Sequence, residues 1–479
     1  MKTLLAFLFL YIGSATAGNV LYVATDGNDN SGTGDIGNPL ASIQQAVNSA
    51  SDGDLILVRP GEYFGRQRLD RQFTNGITIR SEIPYMAQLR NNQQVVTVFS
   101  GQGITIEGFD IAHDGPGASP LVFQVQDTIA GQAATSRIVI RNNILHDSYN
   151  NDILKVNNGA RSIDIVGNIF YNQTGSDEHI DANSVVDVSI VDNVFFNDFA
   201  ASGRSNNNST SSFIVVKDSN ATDDDVLGSA NIEVSRNVFL NWQGSAGSNF
   251  LLLGEDGASY FEVQGAVVEN NLMIGNSNNT MRAAFGAKGV SDVLFRHNTI
   301  VGNLPASGFA FRLNIEGSNQ PVTDVRFYNN IWSDPTGTMN RFSNTPAGES
   351  TGSVLTNNLY WNGGASIPQN GNDVINSADD FSAVLGDPVL ASQVTLVVPV
   401  WNSQTSEFAD GSQSIRQAHR QLVERFGTPG PGSSAIDVAL GSQVPSVDIL
   451  GTPRNPQNAD IGALERDNPD VLFRNSFES

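Results

Sequence analysis

Cysteine is absent from the 479 residues. No disulfide can brace this chain and no thiolate can hold a metal, so stability has to come from an extended buried core. Basic residues are also scarce: 26 Lys and Arg against 49 Asp and Glu give a formal net charge of −23. That balance excludes attraction to nucleic acid or to an anionic membrane through bulk charge. An anionic polymer would be repelled too, unless a cation or a local Lys/Arg group intervened. Beyond the N-terminus no stretch approaches the roughly 18 apolar residues that a membrane span needs. Walker and H-E-x-x-H patterns are missing as well.

What is present begins with Met1-Lys2-Thr3, an apolar run from Leu4 to Ile12, and Ala15-Thr16-Ala17. A basic start, an apolar centre and an A-x-A site predict a secretory signal peptide over 1–17. The mature protein is then expected to be a soluble monomer that is secreted, periplasmic or held at the cell surface.

A repeat fills the middle of the chain. Apolar residues alternate with period two, as in Ile163/Ile165 and Val188/Ile190, and then meet an Asn followed by two apolar residues. The Asn residues are Asn143, Asn168, Asn193, Asn237, Asn271, Asn298, Asn330 and Asn358, at intervals of 25, 25, 44, 34, 27, 32 and 28. One solenoid coil takes roughly 20–30 residues, with any excess placed in loops on one face. Asn suits such a corner because it tolerates left-handed backbone angles, and stacked Asn amides can bond one another. Asn-Gly hairpin turns are scarce, which favours parallel coils over a sandwich or propeller. The excess residues fall in Ala200–Ser212, Ala221–Ser229 and Ala258–Val263.

Ahead of the repeat, Leu40, Ile43, Ala46 and Val47 lie at helical spacing, and Asp54–Val58 reads as a strand. This opening, YVATDGNDNSGTGDIGNPLASIQQAVNSASDGDLILVRPGEY, resembles the N-terminal cap and first coil of secreted right-handed parallel β-helix proteins of the pectate-lyase type. The resemblance implies an all-β solenoid of about ten coils, its open end plugged by one helix. The β-helix with its N-terminal cap is expected over 18–365, a C-terminal coil and capping region over 366–466, and a tail over 467–479. A second helix is predicted within Ser412–Phe426, stopped by Gly427.

Stacking the repeat aligns several charged residues after the corner. Alternation sends Leu154, Ile180 and Val216 inward and predicts Lys155, His179, Asp181 and Lys217 outward on neighbouring coils about 4.8 Å apart. Elimination from a uronate needs its carboxylate neutralised and a base within reach. Asp177, Glu178 and Asp181 are the candidate calcium ligands, their oxygens being suited to that ion. Lys155, Lys217 or His179 is the candidate base, a lysine among cations having a lowered pKa. Asp181, Asn183, Asp218, Glu255, Lys288 and Arg312 are candidate contacts to an extracellular polysaccharide. The segment Glu178–Ser184 also resembles the alginate lyase and chondroitinase B family. That family carries a calcium-binding acidic pair, an E-I-I-S-N-K-S stretch whose Lys is the base, and a later L-R-H-G-N stretch whose Arg is the acid. Here Asn183 stands at the place of that Lys, and Lys217 at the place of that Arg. The resemblance implies a polysaccharide-lyase ancestry. Two alternatives remain open at this stage: hydrolysis by Asp181 and Asp218, which needs carboxylates about 5–10 Å apart, and glycan adhesion without turnover. Asp223–Asp225 is a further acidic loop, His297 is expected at the surface, and His419 and the tryptophans Trp242, Trp332 and Trp361 are expected in packing roles.

Overall fold

The computed structural model describes residues 18–466, apart from 128–133, 175–176, 200–209, 222, 245–248, 277–280, 303–308, 340 and 370. The expected signal peptide, the tail and most of the first insertion lie outside the described residues. The rest forms a right-handed parallel β-helix, in which each coil adds one strand to each of three sheets. The first sheet has 13 strands, the second 12 and the third 10. In one coil the chain runs Arg161–Val166 in the first sheet, Ile169–Gln173 in the second and Ile180–Asn183 in the third.

Period-two alternation builds the interior. Ile138, Ile163, Val188 and Ile232 stack in register inside the first sheet, two residues from a parallel row of Ile140, Ile165, Ile190 and Val234. Inside the second sheet Phe170, Phe195 and Phe239 stack at ring-centroid distances of 5.1 and 4.9 Å. All these side chains are essentially inaccessible to water. Each removes apolar surface worth roughly 1.5–3 kcal/mol, which is how a chain without disulfides remains folded.

The corner between the first and second sheets is an asparagine ladder. Asn168 Oδ1 accepts from the backbone N–H of Asn143 at 2.9 Å and from its Nδ2 at 3.2 Å. The pattern repeats through Asn193, Asn237, Asn271, Asn298, Asn330 and Asn358, and ends on the carboxylate of Asp380. The left-handed residue is not the ladder Asn but the one before it: Asn142, Gly167, Asp192, Arg236, Asn270, His297, Asn329 and Asn357 all have positive φ. The ladder position is chosen for its amide, not for backbone freedom.

A helix over Ile43–Ser49, α1, is capped by Ser42 and buries Ile43, Ala46 and Val47. The second helix, α2, spans Ile415–Phe426 and is capped by Ser414. Its region, expected as a terminal cap, lies along the outer face of the second sheet. Leu422, Val423 and Phe426 cover Ile144, Ile169, Val194, Val238 and Leu272. At the far coils Ala435 and Ile461 pack on Ile331 and Leu359. The chain reaches back to the early coils, where Tyr85 packs edge-on against Trp401 at 4.9 Å. His297, expected at the surface, is buried under this segment, its Nδ1 3.2 Å from the Gly462 carbonyl. His419 Nε2 donates to the Arg236 carbonyl at 2.7 Å in the same interface, a packing role as expected. Trp242 and Trp332 are interior, and Trp361 packs at the seam with the C-terminal segment. Over these coils the outer face of the second sheet is covered by the C-terminal segment.

Candidate functional site: carboxylates and lysines on the third sheet

The outer face of the third sheet carries the charged residues. Lys155 in the strand Leu154–Asn157 lies directly beside Asp181 in Ile180–Asn183, and the two form an ion pair. Lys217 ends the strand Ser212–Lys217 and is in register with Asn183, two residues beyond the Lys155–Asp181 row, where Val215 stands instead. It turns back toward the same space: Lys217 Nζ is 4.0 Å from Asp181 and 2.8 Å from Glu255.

Beneath the lysines lie three buried carboxylates. One ligand atom from each of Asp152, Glu178 and Asp181 falls within 4.8 Å of the others. Asp152 belongs to the coil before Glu178 and accepts that residue's backbone N–H at 3.0 Å. Asp177, expected among the ligands, stands outside this trio, half-buried and within electrostatic reach of Lys155 and Asp181. Asp181 Oδ1 is buried and accepts no hydrogen bond among the described residues. Three carboxylates with an unfilled acceptor suit a hard cation such as calcium.

Burial and repulsion show in the protonation of the trio. Burial first, then the neighbouring Asp181, push the Asp152 carboxyl up to about 7 against the pull of Lys155. Burial, Asp152 and Asp181 carry Glu178 well above the usual carboxylate range. The lysines go the opposite way from the expected lowering. Burial disfavours both ammonium groups, but Asp181 and Asp152 outweigh it at Lys155, and Asp181 and Glu255 outweigh it at Lys217. Both lysines are held as cations.

These shifts predict a pH dependence of stability. A carboxyl whose pKa is raised by folding holds its proton more tightly when folded, so its contribution is present at low pH. It is lost as pH rises through the folded value, about 7 for Asp152. In the presence of a chelator, Tm is expected to fall as pH rises from about 5 to about 7, by an amount equivalent to on the order of 2 kcal/mol. Calcium is expected to restore it at the upper pH, because ligation requires the charged carboxylates. Calorimetry on the wild type and Asp152→Asn checks this; a variant with an unchanged pH slope would exclude Asp152 as its source.

A neighbouring loop fixes the other side of Lys217. Glu262, wholly buried, accepts the backbone N–H groups of Glu255 at 2.9 Å, Asp256 at 3.1 Å and Ala258 at 3.1 Å. It also accepts Asn319 Nδ2 at 2.8 Å. The loop so pinned presents Glu255 at 2.8 Å and Asp256 at 3.6 Å from Lys217 Nζ. Glu262 went unnoticed in the sequence because it sits in an apolar run as a lone acid.

The remaining expected residues divide. His179 does not join the lysines: it precedes the strand, at the corner from the second sheet, and points into the core. Its ring packs against Phe213 at 4.6 Å, and Nε2 meets Asn197 Oδ1 at 3.1 Å. Burial pushes its pKa down to about 3, so it is a neutral interior imidazole and no acid or base for an external ligand. Asp218 is turned into the loop that follows its strand, accepting from the backbone of Gly228 at 2.7 Å, Asn220 at 3.1 Å and Ala221 at 3.2 Å. A carboxylate so engaged does not pair with Asp181 across a sugar bond, and the hydrolytic alternative loses its second acid. Asn183 exchanges hydrogen bonds with Ser219. Lys288 pairs with Glu316, and Arg312 stands in the Asp181 row three strands beyond Val215. In the loop Asp223–Asp225, Asp224 is bonded to Ser184 and Asp225 to Arg161, both structural contacts. A G-x-S-x-G match at Gly348–Gly352 places Ser350 on a short strand of the first sheet, not on a strand-to-helix elbow.

The architecture is that of the right-handed parallel β-helix proteins of the pectate-lyase type. The structure is similar to that of pectate lyase Pel9A, with a TM-score of 0.58 over 94% of this chain and 97% of that chain at 15% identity. XylC in complex with xylose aligns over 94% of this chain and 98% of that one, with a TM-score of 0.49 and 12% identity. An alginate lyase from Paenibacillus sp. str. FPU-7 aligns over 74% and 99%, with a TM-score of 0.38 and 13% identity. No family model and no curated protein sequence matches this chain. At these identities the likeness establishes the fold; the chemistry rests on the site.

Proposed function

We propose that this protein is an extracellular lyase that cleaves a uronate-containing polysaccharide by β-elimination on the outer face of the third sheet. The observation that carries this reading is the juxtaposition of a buried carboxylate trio with two lysines on the third-sheet side of the solenoid. The similarity to a structure named as a pectate lyase agrees with it. Asp152, Glu178 and Asp181 are the residues that would hold calcium, which supplies neutralisation of the substrate carboxylate and so acidifies the adjacent C–H.

Lys155 touches Asp181 and lies 3.6 Å from Asp152, so it serves as the standing counter-charge of the trio. Lys217, paired mainly with Glu255 and 4.0 Å from Asp181, is assigned as the base. It takes the proton from C5, the C5 electrons form the C4–C5 double bond, the bond from C4 to the glycosidic oxygen breaks, and solvent protonates the departing oxygen. Because Lys217 begins as a cation, it must first lose its proton, and turnover is expected to rise with pH across the neutral and alkaline range.

The test is incubation of the purified protein with pectate, alginate and chondroitin, with calcium and with a chelator, while the ultraviolet absorbance of the unsaturated product is followed. Absorbance is expected to grow on at least one polymer and only with calcium. New reducing ends without that absorbance would overturn elimination in favour of hydrolysis. No product from any uronate polymer would remove the lyase reading.

A further inference from the structure

Lysine occurs at Lys2, Lys155, Lys217 and Lys288 and nowhere else in the chain. The last three lie along the third-sheet flank, and each is matched by a carboxylate: Asp181, Glu255 and Glu316. Arg312, on the same flank, is not. It is 8% exposed, and among the described residues it makes no ion pair. Its hydrogen bond to Asn344 Oδ1 is a long 3.4 Å. Glu316, the acid within its electrostatic reach, is already engaged by Lys288.

A second cation makes the situation less favourable still. Burial and the neighbouring Arg282 lower the Arg312 pKa to about 10 against the opposing effect of Glu316. The segments that precede these two strands, 277–280 (SNNT) and 303–308 (NLPASG), contain no Asp or Glu in sequence. Among the described residues the other buried arginine, unlike Arg312, has a counter-anion. Arg454 pairs with Glu465 and donates to Gly462 O at 2.7 Å and Asn270 Oδ1 at 3.1 Å. A buried guanidinium lacking a counter-anion is costly unless a ligand supplies the anion.

The geometry points to Arg312, assisted by Arg282, as a distal subsite that binds a carboxylate of the polysaccharide chain. This inference rests on the reading that a uronate polymer lies along the third sheet. The residues between Asp181 and Arg312 in their shared row are Val215, Leu252 and Gly286, none of them charged. Four strand spacings separate the two ends, roughly 19 Å, which is several sugar rings. A planar guanidinium fork matches a carboxylate with two parallel hydrogen bonds, which a lysine cannot do.

Arg312→Gln and Arg312→Lys are to be compared with wild type, with thermal melts run alongside to establish folding. Binding to pectate and alginate is read by affinity electrophoresis, and KM and kcat by product absorbance, on the polymer and on a trimer too short to span both sites. Arg312→Gln is expected to weaken polymer binding and raise polymer KM about tenfold, with kcat unchanged and the trimer unaffected. Arg312→Lys is expected to fall between the two. Highly methyl-esterified pectin, which lacks the carboxylate charge, is expected to bind wild type and Arg312→Gln alike. Weaker polymer binding by Arg312→Gln in a protein that produces no unsaturated product would uphold the subsite while removing the lyase reading. Equal polymer affinity of wild type and Arg312→Gln would overturn the subsite and leave the lyase reading intact. Equal loss on trimer and polymer would overturn it as well, since a distal contact cannot act on a ligand that does not reach it.

Discussion

Lys217→Ala is expected to lower kcat on a uronate polymer by about 10³-fold, the usual contribution of a positioned general base. Lys217→Arg is the more decisive variant. A guanidinium preserves the charge facing Glu255 at 2.8 Å, Asp256 at 3.6 Å and Asp181 at 4.0 Å, so the local electrostatics survive. It does not give up its proton in this pH range, so it cannot act as the base. Lys217→Arg is therefore expected to fold with near-wild-type Tm, to keep calcium binding, and to be as inactive as the alanine variant. Lys155→Ala is expected to show a different balance, because Lys155 is the cation between Asp152 and Asp181. Its loss leaves those carboxylates facing each other and should lower Tm in chelator, with the deficit recovered by calcium. Initial rates across pH complete the comparison: wild-type kcat should climb with pH, since Lys217 is held as an ammonium in the free protein. Appreciable turnover by Lys217→Arg would sink the assignment of the base.

Most of the fold was legible because one short signature recurs in the coils from Asn143 to Asn358: alternating apolar residues, an Asn, then mostly two apolar residues. The doublet after the Asn held more than a turn marker. In Ile169-Phe170 and Val194-Phe195 one residue faces the core and the other faces outward, and both are buried. A strand apolar on both faces demands cover on both, which is the signal for the C-terminal segment laid over the second sheet. The site was legible only in part. Alternation does not carry back from Ile180 to His179, because the chain bends there through a corner and period two no longer applies; Ile153 and Phe213 at the equivalent places are interior too. Adjacency to Glu178 in sequence points to Asp177 as a ligand, whereas the trio takes Asp152. The strand register carries Lys155 onto Asp181, and the same 26-residue offset carries Asp152 onto Glu178. Contacts between coils, not adjacent letters, build such a site. The pairing of the lysines was hidden for the same reason, since Glu255 lies 38 residues beyond Lys217.

Asn193→Ala is expected to lower stability by roughly 3–5 kcal/mol, with the first unfolding transition moving to lower temperature and lower denaturant. The side chain is wholly buried. Its Oδ1 accepts from Asn168 N at 2.9 Å and Nδ2 at 3.0 Å, while its Nδ2 donates to Ile165 O at 2.8 Å and Asn237 Oδ1 at 3.0 Å. Truncation leaves the Asn168 N–H and the Ile165 carbonyl buried with lost partners, each costing about 1–3 kcal/mol. Asn193→Asp separates the role of the amide from that of volume. A carboxylate can accept but cannot donate, and it would face the Ile165 carbonyl and Asn237 Oδ1 at hydrogen-bond distance. The ladder itself uses a carboxylate only at its end, where Asp380 Oδ2 accepts from Asn358 N at 3.0 Å and Nδ2 at 2.9 Å. Asn193→Asp should therefore be at least as harmful as Asn193→Ala, and Asp380→Asn milder than either. In a solenoid each coil is supported by its neighbours. Asn193 lies just past the end of the strand Val186–Val191, which follows the strand Ile180–Asn183 that bears Asp181. Disturbance there should accordingly weaken calcium binding by the trio, measured by titration calorimetry below the first transition. An Asn193→Asp protein as stable as wild type would show that the ladder contributes shape without the hydrogen-bond polarity assigned to it.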